Sequence, residues 1–228
     1  MNYDAILFDF DGVLLESEYA GNKQIADYLT GIGHPTTPQD SMANFMGLSG
    51  TAFIDALENW IGRPLPDDFH GAREAENIRV LKEGLDPVMG AIRFVRALPD
   101  TLPRAIVSSS RTNWIATHLD HLGVRDVFGD HLYSGHEHVE NGKPAPDIYR
   151  YAAQRLGIAI DRCVIIEDSP VGVTGAVASG ADVIGLCAGS HCPPDHAARL
   201  RSLGVERIAH GFDEVARLVG LEDRYAAT

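Results

Sequence analysis

Short, nearly continuous runs of apolar residues recur along the chain, and segments of helical character separate them. The first run is Ala5–Phe8, and the later ones are Arg104–Ser108, Cys163–Ile166, Asp182–Leu186 and Glu206–Ala209. Runs of this kind are typical of strands that are buried on both faces of a sheet. Residues 111–122 and 147–156, which lie between runs, carry apolar side chains at helical spacing. Alternating strands and helices form parallel βαβ units, so the pattern predicts an α/β fold with a doubly wound parallel sheet.

The segment from residue 16 to residue 89 departs from this alternation. It contains helical patterns, for example at Ile25–Leu29 and Phe53–Ile61, and no convincing strand. Glycine and proline residues that suit hinges flank it on both sides. We therefore predict a catalytic core made of residues 1–15 and 90–228, with residues 16–89 forming a small α-helical cap inserted after the first strand.

The composition is that of an ordinary globular protein: 45% of the 228 residues are apolar and 22% are charged. The formal net charge is −13, and no cluster of lysine and arginine stands out. Such a surface repels nucleic acid and anionic lipid, so we expect neither as a partner. A small anionic substrate stays compatible with this charge, because a local pocket can be positive inside a negative protein.

The cysteine content and the N-terminus bear on the compartment. Three cysteines, Cys163, Cys187 and Cys192, do not form the pattern of a disulfide framework, and they suit a reducing environment. The N-terminal residues show no leader pattern, and no run approaches the roughly 18 apolar residues of a membrane span. We therefore expect a soluble, cytoplasmic protein. The sequence leaves the oligomeric state open, with a monomer favoured.

Two carboxylates two residues apart, Asp9 and Asp11, follow directly on the first predicted strand. In open α/β sheets the ligand site lies at the carboxyl ends of the strands, where this pair falls. Taken alone, the pair could equally be solvated acids at the end of a strand.

Polar residues occupy equivalent places farther along the chain. Ser108 and Ser109 end the second apolar run, Lys143 precedes a predicted helix, and Glu167 and Asp168 end the next run. Each could be structural by itself, as a helix cap or a solvated charge. Together they would place acids, a hydroxyl and a cation at one edge of one sheet, and helix capping does not explain that convergence.

Four segments that contain these residues resemble the ordered motifs of the haloacid dehalogenase-like (HAD) hydrolase superfamily. They read, in order, DFDGVLLES, VSSS, GKPAPD and IIEDS. Their order, approximate spacing and position after strands all match, and the resemblance covers essentially the whole chain. The helical insert resembles the cap of the β-phosphoglucomutase-like branch.

This resemblance implies a Mg²⁺-dependent phosphatase that works through an aspartyl-phosphate intermediate. Asp9 would be the nucleophile. Asp11 would act as general acid towards the leaving oxygen and then as general base for water. The metal set would comprise Asp9, the main-chain carbonyl of Asp11, Asp168 and, through a coordinated water, Glu167.

The resemblance also implies a set of phosphate contacts. Ser108 and Lys143 would bind the phosphoryl oxygens and stabilise charge in the transition state. Gly12 and Ser109 would belong to the same phosphate-binding set. The substrate would be a small phosphorylated metabolite, and a sugar or polyol phosphate is expected by analogy. The loop Cys187–His191 is similar to that of phosphatases acting on 6-phosphogluconate.

Other reactions of the superfamily fit the sequence less well. Dehalogenases lack an acid at the position of Asp11, and phosphonate-cleaving relatives carry a cap lysine that is missing from Met46–Thr51. The main alternative is a β-phosphoglucomutase-type isomerase, which typically has a histidine and an arginine where this chain has Gly21 and Gly50. That difference favours hydrolysis, although nearby cap cations could substitute: Lys23, Arg63 and Arg73.

Two non-enzymatic alternatives fit the sequence less well than an enzyme does. A phosphorylatable receiver domain is about half this length and lacks a helical cap. A non-catalytic sensor of phosphorylated metabolites would not need the intact set of acids.

Three further groups of residues are interpreted as structural. The first could suggest a zinc site but has no regular ligand spacing, so we interpret it as a loop: Cys187, His191, Cys192 and His196. The second is interpreted as solvent-facing loop residues: His131, His136 and His138. The third is assigned to packing: Trp60 and Trp114.

Overall fold

The structure, a computed structural model, describes residues 3–46, 48 and 50–227. The chain divides into two compact units. One consists of Met1–Glu16 together with Asp86–Thr228, and the other is the intervening segment Ser17–Leu85. Among the described residues, no helix has the length and apolar character that crossing a membrane requires.

In the described residues of the larger unit, six strands form one sheet in which every neighbouring pair is parallel. The strands are β1 (Ala5–Phe8), β2 (Arg104–Ser108), β3 (Leu132–Ser134), β4 (Cys163–Glu167), β5 (Asp182–Leu186) and β6 (Arg207–Ala209). Their order across the sheet is β3-β2-β1-β4-β5-β6. The predicted α/β class with a doubly wound parallel sheet is therefore confirmed. Strand order reverses at β1, between β2 and β4, and such a switch point is where ligands bind in open α/β sheets.

The helices of the two units follow in chain order. The smaller unit contains α1 (Ser17–Gly31), α2 (Pro38–Phe45), α3 (Gly50–Ile61) and α4 (Phe69–Glu83). The larger unit contains α5 (Ala91–Ala97), α6 (Thr112–His121), α7 (Arg125–Phe128), α8 (Asp147–Leu156), α9 (Pro170–Ser179), α10 (His196–Ser202), α11 (Phe212–Val219) and α12 (Glu222–Ala227).

The sheet has hydrophobic residues on both faces, which explains the continuous apolar runs. Every residue of β1, β2 and β4 is buried. On one face, Leu7 and Ile165 belong to a core cluster with Tyr149 of α8 and Val173 of α9. On the other face, Phe8 makes edge-to-face contacts with aromatic rings of α5 and α7.

The sequence missed strand β3, and the reason is local. Leu132–Ser134 has only three residues and is followed by glycine and histidine, so no apolar run marks it. Parallel pairing to β2, with Val107 opposite Tyr133, makes this segment a strand.

The smaller unit packs its helices around a core of its own. That core is built from apolar side chains of all four helices: Ile25, Leu29, Phe45, Leu57 and Phe69. Helix α2 begins with a capping box, in which Thr37 and Asp40 exchange hydrogen bonds. The described residues of the smaller unit contain helices and no strand, as the sequence predicted.

Candidate active site

The three central strands bring the predicted acids together at their carboxyl ends. Phe8 of β1 pairs with Ile106 of β2 and with Ile166 of β4. The next residue, Asp9, donates its main-chain N–H to the carbonyl of Ile166 at 2.9 Å. Asp9 and Glu167 therefore leave neighbouring strands at the same level, because parallel strands present their carboxyl ends to one edge.

Lys143 reaches this edge from the loop before α8. Its Nζ lies 2.5 Å from Asp9 Oδ1 and 2.7 Å from Glu167 Oε2, and its side chain is 3% exposed. Burial alone would lower the pKa of Lys143, but the charges of Asp9 and Glu167 outweigh it and raise that pKa well above its ordinary value. The ammonium group therefore stays charged inside the site.

Asp9, Glu167 and Asp168 form an acidic cluster in which one ligand atom from each lies within 4.8 Å of the others. All three side chains are buried. Burial, followed by the neighbouring carboxylate of Glu167, raises the pKa of Asp9 well above its usual value, and Lys143 opposes this effect only in part. Buried carboxylates at this spacing require compensating positive charge. Hard oxygen ligands at this spacing suit a divalent cation such as Mg²⁺, so the residues fit the predicted metal.

Both carboxylate oxygens of Glu167 accept hydrogen bonds from protein donors. Its Oε2 accepts hydrogen bonds from Lys143 and from the Tyr149 hydroxyl at 2.7 Å, and its Oε1 accepts from the Ser169 N–H at 3.0 Å. Burial would raise the pKa of Glu167, but the interaction with Lys143 lowers it overall. Glu167 therefore holds Lys143 in place and ties the end of β4 to the start of α9.

Asp11 lies against the connection between β2 and α6. Its Oδ2 accepts a hydrogen bond from the Ser110 hydroxyl at 2.6 Å and a longer one from the Ser108 hydroxyl at 3.3 Å. Its Oδ1 accepts from the indole N–H of Trp114 at 3.1 Å. Trp114, which the sequence assigned to packing, packs against His118 and also donates this hydrogen bond, which the sequence did not indicate. Trp60, in contrast, donates to Thr36 within the helical unit, at 3.0 Å.

Two histidines that were interpreted as loop residues contact Asp168. Nε2 of His191 lies 2.8 Å from Asp168 Oδ2, and Nε2 of His196 lies 2.7 Å from the main-chain oxygen of Asp168. Carbonyl and carboxylate oxygens accept, so both ring nitrogens donate. Both histidines are buried. His191 lies in the loop after β5, as interpreted, whereas His196 is the first residue of α10. The sequence analysis missed their contacts with Asp168, which only their H-x₄-H spacing after β5 could have signalled.

Gly12 lies directly beside the acidic cluster, just after the end of β1. Its main-chain N–H donates to the carbonyl of Leu15 at 2.8 Å. Its φ is +82°, and a Cβ at this position would lie 2.3 Å from Oδ2 of Asp168. Glycine is needed here because it tolerates this backbone conformation and leaves room for a carboxylate of the acidic cluster.

Ser109 is exposed beside the buried residues of the site. With Lys143 and the glycines Gly135 and Gly142, it lines a cavity of about 280 Å³. His136 also lines this cavity and is exposed, as predicted. This cavity gives the edge of the sheet an opening next to Lys143.

The other two histidines of this region, His131 and His138, are half-buried and hydrogen-bonded to neighbouring groups. The solvent-facing interpretation was therefore wrong for them. Nδ1 of His131 lies 2.9 Å from the hydroxyl of Tyr133. His138 accepts the main-chain N–H of Ser134 through Nδ1 at 3.0 Å. Both therefore support strand β3.

Comparison with known proteins gives a consistent assignment. Residues 3–180 match the model of the haloacid dehalogenase-like hydrolase family. The chain is 26% identical over 193 residues to the 6-phosphogluconate phosphatase of Escherichia coli (strain K12), which covers 84% of this chain and 86% of that protein. It is 31% identical over 186 residues to the fructose-1-phosphate phosphatase of the same strain. This match covers 80% of this chain and 95% of that protein.

A solved structure is similar over nearly the full length. It is a HAD family hydrolase from Deinococcus radiodurans R1 with bound phosphate and sodium, 34% identical to this chain, with a TM-score of 0.87 and 96% of each chain covered. The chain belongs to the haloacid dehalogenase-like hydrolase family, and it is an enzyme of that class. The family resemblance inferred from the motifs is confirmed. His191 and His196 lie beyond the matched residues, so the family's motifs do not mark them.

Proposed function

We propose that this enzyme is a Mg²⁺-dependent phosphatase that hydrolyses a small phosphorylated metabolite, a sugar or polyol phosphate, through an aspartyl phosphate on Asp9. The observation that carries the proposal is the placement of Asp9, which lies beside Lys143 and within the acidic cluster at the switch point of the sheet. Two similar proteins are named phosphatases of 6-phosphogluconate and fructose 1-phosphate, which supports this substrate class.

In the proposed first step, an oxygen of Asp9 attacks phosphorus, and the bond from phosphorus to the ester oxygen breaks. Asp11 gives its proton to that leaving oxygen. In the second step Asp11 takes a proton from water, which attacks phosphorus and releases Asp9 and inorganic phosphate. Lys143 supplies positive charge to the transferring group, with the Ser108 hydroxyl as a further donor.

Asp9 and Asp168, with the main-chain carbonyl of Asp11, are the residues proposed to hold Mg²⁺. When bound, the metal would neutralise the repulsion between a carboxylate nucleophile and an anionic phosphate. His191 and His196 orient Asp168 through its side chain and its main chain. Glu167 acts by fixing Lys143, since both of its oxygens already accept hydrogen bonds from protein donors.

The helical unit Ser17–Leu85 is proposed to act as the cap that selects the substrate. Hydrolysis is preferred over isomerisation because Gly21 and Gly50 offer no side chain for a second phosphate. The three cap cations that could bind a second phosphate instead each form an ion pair or a hydrogen bond within the helical unit. Lys23 pairs with Asp27, Arg63 donates to the carbonyl of Ile32, and Arg73 donates to Gln24.

A screen of phosphate release against sugar, polyol and short-chain acid phosphates tests the proposal. We expect turnover that needs Mg²⁺ and that Asp9→Asn abolishes while the fold is retained, because an amide of nearly the same shape cannot attack phosphorus. Activity of this variant within tenfold of the parent would remove Asp9 as the nucleophile.

The choice between hydrolysis and isomerisation has a separate test. The enzyme is incubated with β-glucose 1-phosphate and a trace of the 1,6-bisphosphate, and both glucose 6-phosphate and free phosphate are followed. Inorganic phosphate should be the main product. Glucose 6-phosphate forming much faster than phosphate would replace the hydrolase with the mutase.

A further inference from the structure

Trp114 lies in the first turn of α6, a helix that belongs to none of the four sequence motifs. Its indole N–H donates to Asp11 Oδ1 at 3.1 Å, across 103 positions in the sequence. An indole N–H can only donate, so its partner in this geometry must be an acceptor. The other oxygen of Asp11 accepts from the Ser110 hydroxyl at 2.6 Å.

We infer that Trp114 is a positioning residue for Asp11 and holds its carboxylate in the orientation that proton transfer requires. Donors on both oxygens, the serine hydroxyls on Oδ2 and the indole on Oδ1, restrain rotation of the carboxylate about both of its side-chain bonds, which donors on one oxygen do not do. A general acid must lie within hydrogen-bond reach of the atom that it protonates, so this restraint acts on the rate of proton transfer. The inference rests on the proposed role of Asp11 as general acid.

The indole is itself held in place by its surroundings. The ring of His118, one turn farther along α6, packs edge-on against Trp114 with 4.2 Å between ring centroids. His118 is completely buried, and within the described residues neither of its ring nitrogens has a hydrogen-bond partner. His118 therefore serves as an apolar support for the indole.

The start of α6 is also fixed. The main-chain N–H of Thr112 donates to Glu137 Oε2 at 3.2 Å, and the Thr112 hydroxyl donates to the same oxygen. Glu137 belongs to the segment that follows β3, so the end of a neighbouring strand determines where α6 begins. A donor carried on a restrained helix positions its partner more accurately than one on a free loop.

The test separates proton donation from the rest of catalysis by varying the leaving group. Trp114→Phe keeps an aromatic ring and removes the N–H, and Trp60→Phe makes the same change in the helical unit as a matched control. The value of kcat/KM is measured for alkyl phosphates, whose leaving oxygen needs a proton, and for p-nitrophenyl phosphate, whose leaving group does not. For each ester, kcat/KM reports the steps up to and including the first phosphoryl transfer, so the later hydrolysis of the aspartyl phosphate does not affect kcat/KM.

We expect Trp114→Phe to lower kcat/KM for alkyl phosphates about tenfold or more and to change it by less than about threefold for p-nitrophenyl phosphate. Trp60→Phe should change kcat/KM by the same factor for the two classes of ester. Equal losses on both classes in Trp114→Phe would overturn the inference.

Asp11→Asn distinguishes failure of the inference from failure of the proposed function. If this variant discriminates between the ester classes and Trp114→Phe does not, Trp114 has no positioning role and the proposed function stands. If Asp11→Asn itself affects both classes equally, the acid role of Asp11 fails, and the inference fails with it.

A spectroscopic measurement keeps the inference testable should Trp114→Phe fail to fold. In a Trp60→Phe background, Trp114 is the one tryptophan of the chain. Adding Asp11→Leu removes the acceptor of the indole N–H and should shift the emission maximum. Unchanged emission would show that Asp11 does not engage the indole in solution, which would overturn the inference.

Discussion

Lys143 holds two buried carboxylates at once, with Asp9 at 2.5 Å and Glu167 at 2.7 Å. Removing one partner from a buried ion pair leaves an uncompensated charge in a medium that solvates it poorly. Exposed pairs behave differently, because water solvates each charge whether or not the partner is present. The two kinds of pair in this chain should therefore respond differently to the same substitution.

Lys143→Met should destabilise the protein by about 3–5 kcal/mol, since Asp9 and Glu167 lose their buried cation. Lys23→Met is the matched control, because Lys23 pairs with Asp27 on an exposed face of α1. The control should leave the urea denaturation midpoint nearly unchanged. Equal midpoints for the two variants would contradict a structural role for the Lys143 network.

His118 should make the stability depend on pH. Burial lowers the pKa of His118 from 6.5 to about 4, so the folded protein holds it neutral where the unfolded chain binds a proton. The contribution of His118 to the free energy of unfolding is fully present above pH 6.5, and it is lost as the pH falls towards 4. The difference between pH 7 and pH 5 is about 2 kcal/mol.

Chemical denaturation at pH 7 and at pH 5 measures this effect. His118→Leu should reduce the loss of stability between the two pH values. His121→Leu changes an exposed histidine of the same helix and should leave that loss as in the parent. A His118→Leu variant with the parental pH dependence would show that another group is responsible.

At the scale of elements, the junction between β4 and α9 shapes the site. Ser169 caps α9 by accepting the main-chain N–H of Gly172 at 3.0 Å, and Pro170 occupies its first turn. Gly172 and Gly175 let the helix approach its neighbours closely. A Cβ on Gly175 would lie 2.8 Å from the carbonyl oxygen of Ala145, in the loop that carries Lys143.

Gly172→Ala should lower both activity and stability. The added Cβ would lie 2.1 Å from the Glu167 side chain, whose carboxylate is completely buried and cannot move aside without releasing Lys143. Gly21→Ala, also within a helix, meets no atom within 4 Å and should be neutral or slightly stabilising. Thermal denaturation and phosphate release of the two variants compare them directly. Full activity in Gly172→Ala would mean that the position of Glu167 does not matter.

For the whole molecule, the acidic cluster links metal binding to stability. A cation that binds the folded state and not the unfolded chain stabilises by about 2.7 kcal/mol at a concentration 100 times its Kd. Mg²⁺ added to metal-free protein should therefore raise Tm, and EDTA should abolish turnover without unfolding the protein. Ca²⁺ should bind and inhibit, because its looser coordination lets the nucleophile sit out of line.

Asp168→Asn should remove the increase in Tm caused by Mg²⁺. Asp195→Asn alters an exposed acid that pairs with Arg199, and it should retain the full increase. An increase that persists in Asp168→Asn would place the metal elsewhere. Turnover in metal-free buffer would overturn the metal requirement itself.

The sequence by itself determined the fold class, the family and the residues that converge at the sheet edge. This was possible because each of these features is local: an apolar run of four or five residues marks a buried strand, and Asp9, Ser108, Glu167 and Asp168 follow such runs directly. Once the strands are parallel, their carboxyl ends must share one edge. Lys143 belongs with them through the GKPAPD segment, whose resemblance to a family motif identified it.

Only the tertiary structure decided which side chains orient those residues. Trp114 meets Asp11, and His191 and His196 meet Asp168, across separations of 103, 23 and 28 residues. The main-chain N–H of Gly12 donates to the carbonyl of Leu15. The turn formed by the chain at this point brings the two groups together, and the sequence motif does not indicate this hydrogen bond. Strand β3 likewise exists through its pairing with β2. These contacts depend on where helices and loops pack in space, and periodicity along a sequence carries no information about that placement.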